Sequence, residues 1–379
     1  MSWIAISDAE EHRFCAAGLD PSDRADGTED APPRRDGGLL RQGSLMIETR
    51  LSPEGRPQTL LAYERAHPRP YRLSLQALPG GGLVLVIGDG ADVFHTTLNP
   101  VSHDRPDILR ITYSWDLDHR PPGAGREDEH QGWGRLSIEQ PEHDRVTETR
   151  LANAPALTLE DVRVMATDPR RRHLDPDVLF FAVSDRVEPI GPMPSLTAEV
   201  PVLGRDAYRF AGQLRRGDLV ETLESGPVPV LQVVSRTVPA CGSFRPVRLR
   251  APYFGLLRDI VVAPDQRLIV GGSEVEYTFG REAVLVPARH LVNGVSAIEL
   301  TGSVIVTYSQ VILPRHESLI AAGCPLESLY VGRIRRKPEQ LASSLLAPFD
   351  RRLLPEHARS AYPMVKPFEA ITLMRRRAA

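Results

Sequence analysis

A chain of 379 residues with 46 basic and 49 acidic side chains carries a formal charge of −3, which excludes a bulk electrostatic case for nucleic acid. At 41% hydrophobic and 25% charged, the composition is that of an ordinary globular protein, and the length suggests two domains or three. Three cysteines (Cys15, Cys241, Cys324) stand far apart with no Cys-x-x-Cys pair. Neither a zinc knuckle nor a dithiol redox site is expected, and no metal or cofactor is called. A reducing compartment and a secreted protein without structural disulfides both fit.

The first residues, MSWIAISDAEEHRF, lack a basic start and a long apolar run, so a cleavable signal peptide is not expected. No stretch reaches the roughly 18 apolar residues that span a bilayer, so no transmembrane segment is expected. Localisation stays open between cytoplasmic and exported without a cleavable signal. Residues 1–42 read as an N-terminal segment and linker, with 16–42 rich in Gly, Pro, Asp and Arg.

Short apolar and β-branched runs follow: SLMIETRL (44–51), QTLLAYE (58–64), YRLSLQAL (71–78), LVLVIG (83–88), ILRITYSWD (108–116), GRLSIEQ (134–140) and VLFFAVS (178–184). Their lengths suit strands. Leu73, Leu75 and Ala77 alternate with Ser74 and Gln76, and Leu109, Ile111 and Tyr113 with Arg110, Thr112 and Ser114, which predicts one apolar face per strand. Residues 118–132 read as a polar hairpin tip or an insert. Gly88 and Gly90 mimic a dinucleotide turn, but Val93 takes the third glycine position and VFHTTLNP reads as extended, so a hairpin turn is expected there. Helical patterns are confined to PEQLASSLL (338–346) and PEHARSA (355–361). The predicted fold class is mainly β: a jelly-roll-like β-sandwich, a second all-β domain, and short C-terminal helices. Three prolines in 187–194 mark the boundary between the domains.

GSLMIETRL, LLAYE, RLSLQALPGGGLVLVIG, ILRITYSWD with Trp115, and WGRLSIEQ resemble in pattern a laminin-G or concanavalin-type sandwich over 43–190. That resemblance implies a protein or glycan ligand, sometimes with calcium. Asp89, Asp92 and Asn99 are read as surface loop residues rather than as a calcium cage.

Over 195–332, QLRRGDLVET with PVPVLQVVSR, then RDIVVAPDQRLIV, LVPARHLVNG and YSQVILPRHESLIAAGCPLESLYVG resemble, in order, four blocks of the bacterial Hint (Hedgehog/intein) domain. The resemblance implies self-cleavage chemistry. The first residue of such a domain, usually Cys, attacks the preceding carbonyl, while a Thr or Ser and a His in the middle block polarise that carbonyl and protonate the departing amine. Counted back from Leu214 and Gly217-Asp218, the nucleophile position is Ser195, a poorer nucleophile than Cys because a thiol ionises far more readily. The usual Gly-Thr becomes Glu199-Val200, the Thr/Ser position Ala263 and the His position Gln266. Ala263 has no hydroxyl, and Gln266 cannot shuttle a proton. His316 remains, as a candidate catalytic residue or as a buried His bonded by Glu or backbone. No His-Asn end follows, so splicing is not expected.

The reading is therefore a degenerate Hint-domain protein that binds or interacts rather than cleaves. A Ser195-dependent self-cleaving protein and a lectin-like carbohydrate binder are the alternatives. No Gly-x-Ser-x-Gly elbow or His-Glu-x-x-His pair supports an ordinary hydrolase. Cys324 reads as a packed small hydrophobe. RIRRK (333–337) and MRRR (374–377) lie in a C-terminal tail, 333–379, read as solvated, with an acidic partner or membrane surface as the other reading. The partner, a protein or a glycan, and the oligomeric state are left open.

Overall fold

The structure, a computed structural model, describes residues 3–20, 38–50, 55–79, 82–99, 108–119 and 132–378. Residues 21–37 of the expected linker and 120–131 of the expected hairpin tip lie outside the described residues, as do the side chains of 374–377. The chain forms two compact units, Met1–Gly191 and Pro192–Ala379. Among the described residues, no helix is long and apolar enough to cross a membrane.

The first unit is a two-sheet sandwich. Its strands are β1 (Trp3–Asp8), β2 (His12–Phe14), β3 (Gln42–Thr49), β4 (Gln58–Arg65), β5 (Tyr71–Ala77), β6 (Leu83–Asp89), β7 (Asp92–Leu98), β8 (Leu109–Asp116), β9 (Trp133–Gln140), β10 (Arg145–Ala152), β11 (Arg172–Leu174) and β12 (Val178–Ser184). One sheet has seven strands in the order β10-β9-β8-β3-β12-β1-β2, and the other has five in the order β11-β4-β5-β6-β7. The expected alternation supplies the core. Leu73, Leu75, Leu109, Ile111, Tyr113 and Trp115 all join one buried cluster. The Trp115 indole N–H finds the Leu40 carbonyl at 2.7 Å, which satisfies the polar end of a fully buried side chain.

The opposite, polar face of β8 and β9 is buried as well, with Arg110, Thr112, Arg135 and Glu139 all shielded from solvent. Burial is tolerated because the charges sit together: Arg110 lies 3.4 Å from Glu48 and 3.9 Å from Glu139.

At the Gly88-x-Gly90 motif, Asp89 pairs with Asp92 across a hairpin. Gly90, at φ +66°, supplies the positive φ that such a turn requires at its first central residue. A strand follows, not a helix, so no phosphate-binding helix start exists there. Asp89 and Asp92 both pair with Arg69.

Three elements depart from the sequence expectation. The segment read as N-terminal segment and linker contributes β1 and β2, with β1 antiparallel to β12. Helix α1 (Leu159–Thr167) was not expected. Thr158 caps it, accepting from the Asp161 N–H at 3.1 Å while its hydroxyl donates to the Asp161 carboxylate at 2.7 Å. Arg65 and Tyr63 then anchor that carboxylate at 3.0 and 2.9 Å.

The second unit contains β13 (Leu196–Thr197), β14 (Pro201–Leu203), β15 (Tyr208–Phe210), β16 (Leu219–Thr222), β17 (Gly226–Pro229), β18 (Gln232–Pro239), β19 (Val247–Leu249), β20 (Ile260–Val262), β21 (Arg267–Gly271), β22 (Ala283–Pro287), β23 (Ala297–Glu299), β24 (Ile305–Ile312), β25 (Ser318–Ala321) and β26 (Cys324–Glu327). It also contains the helices α2 (Ser273–Phe279), α3 (Pro338–Ala342) and α4 (Pro367–Ala378). A six-stranded sheet runs β18-β24-β13-β20-β19-β23, and a second runs β15-β14-β25-β26-β21-β22, with β16 joining through β25 and β17 pairing on β16.

The segment read as a solvated tail packs into this unit. Val365, Ala370 and Leu373 belong to its main core, and Leu341, Leu346 and Leu354 close a smaller cluster with Val234 and Ile312. The helix expected over 338–346 stops at Ala342, and 355–361 is irregular. There His357 is tied down by its backbone N–H to Gly332 O at 2.9 Å, and by its ring, which overrides local propensity. The α4 helix replaces it as the last helix, with Pro367 at its first position and Glu369 accepting from the Lys366 N–H at 2.7 Å.

Candidate functional site

The short strand β13 sits between β24 and β20 at the centre of the six-stranded sheet. Ser195 directly precedes it and is buried. Its carbonyl accepts from the Ala263 N–H at 2.7 Å, so the turn after β20 is stitched to the position before β13. Ala263 opens that turn, and Gln266 closes it through its N–H to Ala263 O at 3.0 Å. The fold thus brings Ser195, Ala263 and Gln266 together across about seventy residues of chain, as strand pairing allows.

The Ser195 hydroxyl donates to Gln266 Oε1 at 2.6 Å. Gln310, on β24, donates from Nε2 to Ser195 Oγ at 3.2 Å, to Gln266 Oε1 at 3.1 Å and to the Glu327 carbonyl at 3.1 Å. Gln266 Nε2 donates to the Arg267 and Glu327 carbonyls at 2.9 and 3.2 Å. A carbonyl only accepts, so Glu327 O turns both Nε2 groups toward itself and leaves Gln266 Oε1 facing the serine. Two amide protons on Gln310 serve three acceptors, so one bond is shared. The hydroxyl is held by two neutral amides, and neither amide takes up a proton near neutral pH.

His316 stands apart from this cage. It is buried, and its Nδ1 accepts from the Ala361 N–H at 3.1 Å, which places the ring proton on Nε2 when neutral. Nε2 lies 3.1 Å from Glu327 Oε1. The same carboxylate meets Arg267 at 3.3 Å. Glu327 therefore joins the two groups, its backbone carbonyl in the serine cage and its side chain between His316 and Arg267. Tyr330 and His357 pack against the imidazole with ring centroids at 5.0 and 5.6 Å. Burial holds the His357 pKa down at about 4. Its neutral ring accepts from the Val331 N–H at 3.2 Å and reaches Leu313 O at 3.1 Å.

The remaining singled-out residues have structural partners. Glu317, next to His316, accepts from Thr222 at 2.6 Å and Ser225 at 3.0 Å. Asp218 accepts from the Arg215 N–H at 2.9 Å in the turn after Gly217. Cys324 lies in the core, where burial pushes its thiol up to about 12, so the reactive thiolate is suppressed. Among the described residues no group of three or more His, Cys, Asp or Glu side chains is arranged to hold a metal.

Sequence reasoning brought Ser195, Ala263, Gln266 and His316 to notice but missed Gln310 and Glu327. The Gln310 signal was legible as the odd polar residue in the strand YSQVIL. The Glu327 role rests on its backbone carbonyl, which leaves no mark in a side-chain pattern.

Residues 194–333 match the family model described as Hint domain. The match falls on the part of the chain in which the four sequence blocks lie. Among solved structures, the chain is similar to the MchDnaB-1 intein, with 15% identity over 35% of this chain and 98% of that one, at a TM-score of 0.25. It is also similar to the Ruminococcus gnavus IT-sialidase CBM40 bound to α2,3 sialyllactose, with 13% identity over 50% of this chain and 91% of that one, at a TM-score of 0.25. No curated protein matches the chain.

Proposed function

We propose that this is a Hint-domain protein whose Hint half no longer cleaves its own chain and serves as scaffold for a binding or interaction protein. One observation carries the reading: the Ser195 hydroxyl is engaged by Gln266 and Gln310 at 2.6 and 3.2 Å, two amides that cannot act as a general base near neutral pH. Self-cleavage at this position would need the serine oxygen to attack the Pro194 carbonyl carbon, the Pro194–Ser195 amide to break with an ester formed in its place, and a proton delivered to the freed nitrogen. Positioned acid–base groups contribute about 10²–10⁴-fold to such steps. Ala263 offers no hydroxyl and Gln266 no transferable proton, while His316 Nδ1 is occupied by the Ala361 N–H and its Nε2 faces the Glu327 carboxylate rather than Ser195.

Hydroxylamine tests this reading, because it intercepts an ester but leaves an amide intact under mild conditions. The full-length chain is expected to give no fragment ending at Pro194 on treatment near neutral pH. A fragment of that kind, lost in Ser195→Ala, would favour the self-cleaving alternative.

For the N-terminal sandwich, the proposed ligand is a protein or a glycan, in line with its two-sheet form. A glycan-array signal carried by the full chain and lost on substitution within 43–190 would support the lectin-like reading, and a blank array would direct attention to protein partners.

A further inference from the structure

Beyond the Hint match, the segment after residue 333 builds a feature that the serine cage does not use. A cavity of about 390 Å³ is lined by Arg335, Arg336, Arg351, Arg352 and Glu356. It opens widely to solvent and is large enough to admit a hydrated tetrahedral anion. Four guanidinium groups face one carboxylate.

That carboxylate is already committed. It meets Arg335 Nε at 2.5 Å, and Arg336 at 2.8 and 2.6 Å through Nε and Nη2. Arg336, then Arg335, holds the Glu356 carboxyl down at about 2, so it stays ionised and engaged. The other two arginines are not neutralised by it. Arg351 is oriented by a bond from its Nε to the Arg335 carbonyl, which leaves its terminal nitrogens free to turn to the cavity. Arg352 has no carboxylate partner among the described residues; only its backbone N–H is engaged, by Asp350 at 2.9 Å. Arg335 is further braced on the Leu354 carbonyl at 3.1 Å. Bonds thus hold the guanidinium groups of Arg335, Arg336 and Arg351 before any ligand arrives, which reduces the ordering loss on binding, whereas the exposed Arg352 side chain is ordered only when the ligand binds. Planar guanidinium forks suit phosphate oxygens.

We propose that this arginine-lined cavity binds a phosphate group, with Arg351 and Arg352 as its principal donors. Two sources share that chemistry, a free phosphate compound and a phospholipid headgroup.

Isothermal titration of the full-length protein with inorganic pyrophosphate, at low and at 0.5 M salt, reads the first source. Flotation with phosphatidylglycerol vesicles against phosphatidylcholine vesicles reads the second. Binding in either arm, weakened by salt and lowered about fivefold or more in Arg352→Gln, supports the proposal, and the arm that responds identifies the source. Arg352→Gln touches no structural bond of the side chain and is expected to keep the parent unfolding midpoint. Arg351→Gln,Arg352→Gln is expected to abolish binding. No binding in either arm, or binding by Arg352→Gln and the double variant as tight as that of the parent, would overturn it.

Discussion

Gln266→Ala probes the serine cage directly. The substitution removes an amide that accepts from Ser195 and Gln310 and donates to the Arg267 and Glu327 carbonyls. The loss is uneven. Glu327 O keeps its bond from Gln310, and Gln310 keeps both Ser195 and Glu327 as acceptors. The buried Ser195 hydroxyl proton loses its acceptor, a penalty of about 1–3 kcal/mol, and the bond to Arg267 O adds about 1 kcal/mol. With the small cavity left behind, the second unit is expected to lose about 3 kcal/mol.

Native-state hydrogen exchange by mass spectrometry reads this region by region. Protection in peptides covering 305–312 and 318–327 is expected to fall by about two powers of ten. All three tryptophans, Trp3, Trp115 and Trp133, lie in the first unit, so the urea transition followed by their emission serves as an internal control and is expected to stay put. In a Ser195→Ala background the hydroxyl is already gone, and Gln266→Ala is expected to be about 1 kcal/mol less damaging. Unchanged protection in 305–312, or strict additivity with Ser195→Ala, would refute the coupling between these side chains.

Three further outcomes are expected. His357 is kept neutral by burial, with its pKa lowered from 6.5 to about 4. The unfolded chain therefore takes up its proton first as pH falls. The His357 contribution is complete above about pH 6.5 and is lost between 6.5 and 4, by about 2–3 kcal/mol, and a urea series followed by circular dichroism should show a flatter pH dependence over that window in His357→Gln. In the first unit, a Cβ at position 43 would lie 2.4 Å from Trp115 Cζ2 and 3.0 Å from the Ser184 carbonyl. Gly43→Ala is thus expected to lower the tryptophan-detected stability by about 1–3 kcal/mol, and an unchanged midpoint would show that the sheet yields there. Ending the chain after Lys366 removes Ala370 and Leu373 from the second core, so a loss of about 2–4 kcal/mol is expected in its unfolding by circular dichroism.

Alternation made the sandwich strands legible, since Leu73, Leu75, Ile111 and Tyr113 announce an inner face whatever surrounds them. Order of motifs did the same for the second half, and assigned Ser195, Ala263 and Gln266 to three positions of one resembled site without saying which bonds join them. Long-range pairing was not legible in the same way. Trp3–Asp8 becomes a strand because β12 lies beside it, with Trp3 opposite Ser184, a partner far along the chain. Residues 355–361 look helical alone, but His357 is fixed at Gly332, Val331 and Leu313, and tertiary contacts win over weak local preference. The opening of α1 did carry its own signal, Thr158 followed three residues later by Asp161, as capping chemistry requires. At the site, side-chain chemistry could be read from residue types, whereas the joint made by the Glu327 carbonyl could not, because every residue offers one.

The central claim, that the Hint half keeps its scaffold without its self-cleavage, is tested most directly by the intact mass of the purified full-length chain followed over days at neutral pH beside Ser195→Ala. The expected result is a single 41.9 kDa species in both, unchanged with time. Two fragments divided between Pro194 and Ser195, accumulating in the parent and absent from Ser195→Ala, would contradict it.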